Sequence, residues 1–470
     1  MNQSSVSFKS LLLIGLGFFA VSASWAAYNA YLPLILSGAG LTTAGIGVVM
    51  ALDNVFGLTV QPLFGMISDR TRSPWGRRLP FALICAPIAA IALMLMPVAA
   101  NIGVSILIIL VVIYTLTMAF WRAPIVALMP DLVAPEGRSR ANGVINFMGS
   151  LGNVLIFGIG GLLVARFAFA GPFTLAGVLM IVAVVLLVVF VHENPAFRSP
   201  KLSFISLRDP LTEHGSISTD VPPVSLPDDA TRALAELPTS APATPAIPAE
   251  PLPAVGIWTR IRNLIAPPLS LTPPQKRSLL FILAAMFVYT MGANAVDTFV
   301  TLYLHQELGV PESQVTLNLL PYLAASILFA IPAGFIGQWI GRRNSMAIGL
   351  AGSAVLFMYL WGVTDVATLR LLMPIYGVLW ITVIVNALPL TVELGGVEHT
   401  GTLTAYYYLA GSSGAVISPI LFGVIRDLTG DFSLIFVYAA VAFAIASIVL
   451  VGFVRHGEAG DSATLGVAAA

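Results

Sequence analysis

Charged side chains sit inside otherwise apolar runs at Asp53 (ALDNVFGLTV), Arg122 (AFWRAPIVAL) and Asp297 (GANAVDTFV). A charge in hydrocarbon is expensive, so such a residue is expected to face a polar interior path and to bind or move an ion or a polar solute. A carboxylate can be neutralised by a proton, whereas a guanidinium keeps its charge and offers a fixed fork of donors suited to vicinal acceptors such as hydroxyls. Asp53 is therefore the expected proton-coupling residue, with Asp297 as a second titrating acid. Arg122 is the expected substrate ligand and counter-charge. A further charged group, Asp69, Arg70, Arg77 and Arg78 in DRTRSPWGRR with Asp131 and Arg138 beyond it, marks the end of an apolar run. These residues are candidates for charge pairs that hold one face of the molecule shut and break when it changes shape.

The elements that must position these groups are membrane helices. Of 470 residues 58% are hydrophobic and 9% charged, whereas a soluble domain needs roughly a quarter charged residues to cover its surface. The apolar runs divide at 10–34, 43–68, 79–98, 102–129, 141–165, 173–191, 278–303, 315–339, 343–362, 366–391, 401–425 and 432–454, each near the ~20 residues that cross a bilayer as helix. The first run continues unbroken to Ile35 and has a counterpart later in the chain, which argues against a cleaved leader. At 1.5 Å per residue Asp53 lies about 24 Å along its helix from Asp69, and Arg122 about 13 Å from Asp131, near the midplane. Asp297 lies about 27 Å from Leu279, which favours a place at the outer mouth.

Lys9, the group Arg70 to Arg78, Arg138, Arg140, Arg342, Arg343 and Arg455 all fall on one side of these spans, while Arg166, Arg370 and Arg426 fall on the other. The basic side is expected to be cytoplasmic, with both termini and the central loop, in a multi-pass protein of the cell (inner) membrane. The expected organisation is a six-helix bundle over 1–191, a Pro-rich cytoplasmic loop over 192–277, a second bundle over 278–454 and a tail over 455–470. The loop is too rich in Pro, Ala, Ser and Thr to bury a core and reads as disordered. Near its end, GIWTRIRNLIA sets Trp258, Ile261 and Leu264 against Arg260 and Arg262, the pattern of a surface-lying amphipathic helix or an ordinary linker end.

The two sets of six spans repeat. At a constant offset of 269, Gly40 meets Gly309, Gly65 meets Gly334, Tyr28 meets Asp297 and Asp53 meets Tyr322. Gly76–Arg78 matches Gly341–Arg343, and Trp121 with Pro130 matches Trp380 with Pro389. The fold class is thus all-α and membrane-spanning, with twelve helices in two parallel six-helix repeats.

The turn carrying Gly65, Asp69, Arg70, Gly76, Arg77 and Arg78 resembles the signature between spans 2 and 3 of the major facilitator superfamily, with four extra residues, TRSP, inside it. DRTRSPWGRRLPF and ALMPDLVAPEGRSRANGVIN are similar to the sucrose–proton symporter group and, more distantly, to the glycoside–cation symporters. The resemblance implies a cavity lined by spans 1, 4, 7 and 10 and two halves that rock about it. When the WG and Pro landmarks are superposed, the sodium-binding carboxylates of the glycoside–cation family fall on Gly57, Gln61 and Arg122. None is an acid, and a cation there repels sodium, so a proton is the expected coupling ion. In the second half Gln338 replaces the signature acid, so the charge latch is expected to be stronger in the first.

A sugar site needs rings to cover apolar sugar faces and amides to bond hydroxyls. The candidates are Trp25, Tyr28, Asn29, Asn54, Trp121, Asn146, Asn294, Tyr322, Trp380 and Asn386, each with helix packing or an interfacial belt as an equally simple role. Of Tyr406–Tyr408 at most two can face a cavity, and the small residues of GNVLIFGIGG read as helix packing. The chain has no phosphate-cradling P-loop and no metal-ligand spacing among its five histidines, so neither an enzyme nor a cofactor is expected. Zero net charge gives no case for nucleic acid, and the single Cys85 excludes an internal disulfide. The expected function is proton-coupled symport of a sugar or glycoside by a monomer in the bilayer. The alternative is a proton-driven exporter of drugs or metabolites on the same fold.

Overall fold

A computed structural model of the chain describes residues 8–133, 137–191, 193, 203–204, 271–395 and 399–454, with the side chains of 8–10, 138–140 and 203–204 excepted. The central loop beyond these residues, the Trp258–Leu264 stretch and the tail lie outside the described residues. Among the described residues, twelve helices are long and apolar enough to cross a membrane. In chain order they are α1 (Phe8–Gly38), α2 (Thr43–Asp69), α3 (Leu79–Ile102), α4 (Val104–Leu132), α5 (Arg138–Phe167), α6 (Ala170–Phe190), α7 (Pro273–Gln306), α8 (Glu312–Ile340), α9 (Arg342–Trp361), α10 (Val366–Glu393), α11 (Thr400–Thr429) and α12 (Leu434–Phe453).

Local chemistry explains where the helices begin. Thr42 accepts a hydrogen bond from the backbone N–H of Gly45 at 3.1 Å and so caps α2. Thr272 and Gln275 form a capping box ahead of Pro273 at the start of α7. Asp365 caps α10 by accepting from the Thr368 N–H at 2.7 Å, which holds its carboxyl below the usual range. Several helices run a few residues past the apolar runs, α7 by five at its start, because caps rather than hydropathy decide where the backbone turns.

The helices pack as two sets with the same internal pattern. In the first, α1 packs on α5 and α6, α2 on α4, and α3 on α4 and α6; in the second, α7 packs on α11 and α12, α8 on α10, and α9 on α10 and α12. The matched glycines agree with this repeat: Gly40 and Gly309 both have positive φ, as do Gly76 and Gly341. Between the sets, α2 packs on α11, α5 on α8 and α1 on α7.

These inter-set contacts concentrate at the face opposite the basic turns, called here the far face. There the Asp427 carboxylate accepts from the backbone N–H groups of Thr43 and Ala44, at 2.9 and 2.8 Å. Gln306 donates to the Ser37 hydroxyl at 2.8 Å, and the Tyr31 and Thr316 hydroxyls share a 2.9 Å bond. The α2–α11 backbones approach so closely that a Cβ at Gly47 would collide with the Pro419 carbonyl. Small residues at such crossings let membrane helices pack on one another by backbone contact.

Candidate functional site

Below the far-face joint lies a cavity of about 510 Å³, lined by both helix sets. This is within the range of roughly 300–1,000 Å³ usual for small-molecule sites. From the first set, α1 contributes Trp25 and Asn29, α2 contributes Asp53 and Asn54, α4 contributes Arg122 and α5 contributes Asn153 and Phe157. From the second, α7 contributes Asn294 and Asp297, α8 Tyr322, and α10 Tyr376. Arg122 is within electrostatic reach of Asp53 across the cavity. No contact ion pair within 4 Å joins them, and both line the same cavity. Asp53 instead accepts from the Asn54 backbone at 2.7 Å and its side-chain amide at 2.9 Å.

Each acid is within electrostatic reach of a stacked pair of tyrosines. Asp53 interacts with Tyr28 and Tyr114, whose rings stack with centroids 5.2 Å apart. Asp297 interacts with Tyr322 and Tyr376, which stack at the same 5.2 Å. The repeat thus places one acid and two tyrosines in each half, with acid and tyrosine exchanged between the first two spans of each set.

A second cavity of about 290 Å³ adjoins the first and shares Asn54, Asn294 and Asp297 with it. Its other walls include Tyr289, Trp380, Tyr407 and Tyr408.

Several residues predicted to contact substrate are placed elsewhere. Tyr28 and Trp121 are fully buried in the first helix set; the Trp121 N–H points at the Met118 sulfur, 3.3 Å away. Asn386 is buried between α8, α9 and α10, where its amide donates to the Thr382 carbonyl at 2.9 Å and reaches Ala333 and Ser345. Asn146 is exposed and turned back onto Asn142. An amide or indole in an apolar run can be satisfied in a cavity, by a neighbouring helix or by its own helix one turn back, and packing decides among them. The outer-mouth expectation for Asp297 is corrected likewise: nine residues, about 13 Å of helix, separate it from Gln306, and it lines the central cavity. Asn153, a wall of that cavity, falls in the GNVLIFGIGG stretch read as packing alone; its amide was the available signal.

At the basic face, Arg77 grips Asp131 with two bonds, Nη2–Oδ1 at 2.6 Å and Nε–Oδ2 at 3.1 Å. Arg78 reaches Asp131 at 2.9 Å and Asp69 at 2.5 Å. This brings Asp69, Arg77, Arg78 and Asp131 together beside Gly65 and Arg70; the Arg138 side chain lies outside the described residues. The cluster is completed by a residue the sequence reading missed. The Glu193 carboxylate accepts the backbone N–H groups of Arg77, Arg78 and Leu79, each at 2.8 Å, and so caps α3. Gly76, at φ 112°, is required there because a Cβ would meet the Glu193 side chain. Asp69, in turn, pairs with Arg78. In the second set the counterpart among the described residues is the pair Arg342–Glu393 at 2.6 Å. The ion pairs described at this face each stay within one helix set.

Comparison with known proteins agrees with this architecture. A crystal structure of the peptide transporter POT superposes with TM-score 0.67 at 16% identity, covering 95% of each chain. The nucleoside transporter NupG superposes with TM-score 0.63 at 13% identity, covering 94% of this chain and 99% of its own. Among curated sequences, the chain is 35% identical over 99 residues to human proton-associated sugar transporter A, covering 21% of this chain and 13% of that protein. It is 29% identical over 179 residues to the cis,cis-muconate transport protein of Acinetobacter baylyi, covering 38% and 43%. It is 30% identical over 174 residues to a sucrose transport protein of Arabidopsis thaliana, covering 34% of each. In each case the chain spans less than half the relative's length. The family model of the Major Facilitator Superfamily matches residues 14–263 and 282–468. Two six-helix repeats, a polar cavity between them and a charged turn after the second span are what that match joins: this chain belongs to the major facilitator superfamily.

Proposed function

We propose that the protein carries a sugar or glycoside together with a proton by alternating access, with the basic face toward the cytoplasm. The observation that carries this reading is one cavity, walled by both halves, that holds a protonatable acid, Asp53, facing a permanent cation, Arg122. Protonation of Asp53 changes the field at Arg122, and a substrate bound to Arg122 changes the cost of charging Asp53, so the two binding events are linked. Asn29, Asn54, Asn294 and Trp25 supply the amides and the ring that hydroxylated substrates need. The sugar-transporting relatives support the substrate class.

The test is uptake into proteoliposomes under an imposed inward proton gradient. Wild-type protein is expected to accumulate a glycoside and acidify the lumen, whereas Asp53→Asn abolishes gradient-driven accumulation and keeps substrate exchange. Accumulation by Asp53→Asn equal to wild type sinks the coupling role.

A second reading is proton-coupled uptake of an organic carboxylate. It is favoured by Arg122, which has no contact ion pair inside the cavity, and by the muconate-transporting relative. Stabilisation of the purified protein by dicarboxylates and by no sugar selects it.

A further inference from the structure

Two of the helices that wall the central cavity carry a separate hollow on their other side. α8 and α10 contribute Leu319, Tyr322, Met373 and Tyr376 to the central cavity. Toward the far face, Gln314, Asn318 and Pro321 of α8 and Arg370, Leu371 and Pro374 of α10 line an open groove of about 700 Å³ beside the α7–α8 turn. The groove and the central cavity share no lining residue. Leu371 is 75% exposed, and Leu328 and Ile331 further along α8 are exposed as well, so this flank of the helix set meets lipid.

Among the described residues lining the groove, Arg370 alone carries a charge. It lies four residues, about 6 Å, inside the start of α10, and its guanidinium has no partner among the described residues. Arg426, also toward the far face, differs in lying beside Asp427 and over the Phe432 ring. A cation on a lipid-facing flank is costly unless its head reaches the interface or a counter-charge. At this depth the bilayer offers the phosphates of the far leaflet, and Tyr359 and Trp361, exposed at the far-face end of α9, stand where an interfacial aromatic belt does. A guanidinium fork binds phosphate through two parallel bonds, and the Gln314 amide in the same groove adds a donor. Deeper along both helices the walls become Pro321, Leu371 and Pro374, an apolar bed for an acyl chain. With no acid in the lining, the groove favours a lipid of net negative charge over one whose headgroup also carries an ammonium.

We infer that the groove between α8 and α10 binds an anionic phospholipid of the far leaflet, with its phosphate on Arg370 and Gln314 and an acyl chain along Pro321, Leu371 and Pro374. Basic pockets between membrane helices are suited to anionic headgroups in this way. A lipid seated there spans two helices of the second set and stabilises the folded protein as any ligand of the native state does. The site is independent of the substrate and of the coupling ion.

The test exposes detergent-purified full-length protein to phosphatidylglycerol, phosphatidylcholine or inorganic phosphate, and reads lipid retention by native mass spectrometry with the thermal midpoint alongside. Wild-type protein is expected to retain phosphatidylglycerol about tenfold more than phosphatidylcholine. Arg370→Gln is expected to bring the two lipids level. Leu371→Trp, which fills the groove and keeps the charge, is expected to lower retention of both. Arg370 and Leu371 are exposed, so neither substitution disturbs the core. Arg166→Gln, at another exposed far-face arginine, is the control and is expected to change nothing. Equal retention of the two lipids by wild type, or a preference that survives Arg370→Gln, overturns the site. A loss in Arg166→Gln as large as in Arg370→Gln shows general surface charge and overturns it too, and full retention in Leu371→Trp overturns its placement in the groove. Stabilisation by inorganic phosphate that Arg370→Gln removes, without a lipid preference, assigns the groove to a soluble anion and overturns the lipid.

Discussion

Arg122 and Asp53 carry opposite demands on one cavity, and their chemistry separates them experimentally. A guanidinium binds vicinal acceptors through two parallel donors, while an ammonium is a compact point charge. Arg122→Lys keeps the charge that Asp53 faces and removes the fork. Substrate affinity is therefore expected to fall about tenfold or more while proton dependence of uptake persists. Unchanged affinity in Arg122→Lys, read by direct binding, would remove Arg122 as the ligand. A stacked pair of tyrosines lies within electrostatic reach of each acid, Tyr28 with Tyr114 and Tyr322 with Tyr376.

At the scale of elements, the turn from α2 to α3 is held by two sets of contacts. Arg77, Arg78, Asp69 and Asp131 tie it to α2 and α4, and Glu193 ties it to the end of α6 by capping α3. The loop beyond Glu193 is pinned to the same turn, because Thr71–Arg72 (β1) pairs antiparallel with Ser203–Phe204 (β2). Removing the carboxylate leaves backbone donors at a helix start, where negative charge is most favourable, without partners. Glu193→Ala is expected to destabilise the protein by about 1–3 kcal/mol, seen as a lower midpoint in thermal unfolding of the detergent-solubilised protein. Glu193→Gln, which keeps an acceptor, is expected to recover part of the loss. An unchanged midpoint in Glu193→Ala would mean that water replaces the carboxylate at no cost.

At the scale of the whole molecule, the two helix sets are joined at the far face. Asp427 on α11 holds the first residues of α2 through two backbone N–H groups, a charge-assisted contact between the two repeats. Opening the far face requires this contact to break. Asp427→Asn weakens it by about 0.5–2 kcal/mol, enough to shift a balanced two-state population several-fold. In a Cys85→Ser background, spin labels on the α1–α2 and α7–α8 turns are expected to show a larger long-distance population in Asp427→Asn than without it. Identical distance distributions would show that backbone packing at Gly47 and Gly423, and not the carboxylate, holds the face closed.

Hydropathy and spacing were enough to determine the twelve spans, the basic face and the repeat, because each depends on residues counted along the chain. The 269-residue offset even anticipated the exchange of acid and tyrosine between Asp53 and Tyr322, Tyr28 and Asp297. Asp53 and Arg122 of the cavity were legible for the same reason, since an Asp or Arg in hydrocarbon has few acceptable places, while Asp297 was legible as a buried acid but not as a wall of this cavity. Amides and indoles have more. Asn386 is held between its own and neighbouring helices and Trp121 is buried with its N–H on Met118 of its own helix, whereas Asn153 and Trp380 line cavities, and the packing of helices far apart in the chain decides between these outcomes. The same is true of Glu193, which lies 116 residues from the backbone of Arg77 that it caps, and of Asp427, whose partner helix belongs to the other repeat. Contacts between distant segments leave no periodicity in either one, and it was the tertiary structure that revealed both the second, aromatic-walled cavity and the joint between the repeats at the far face.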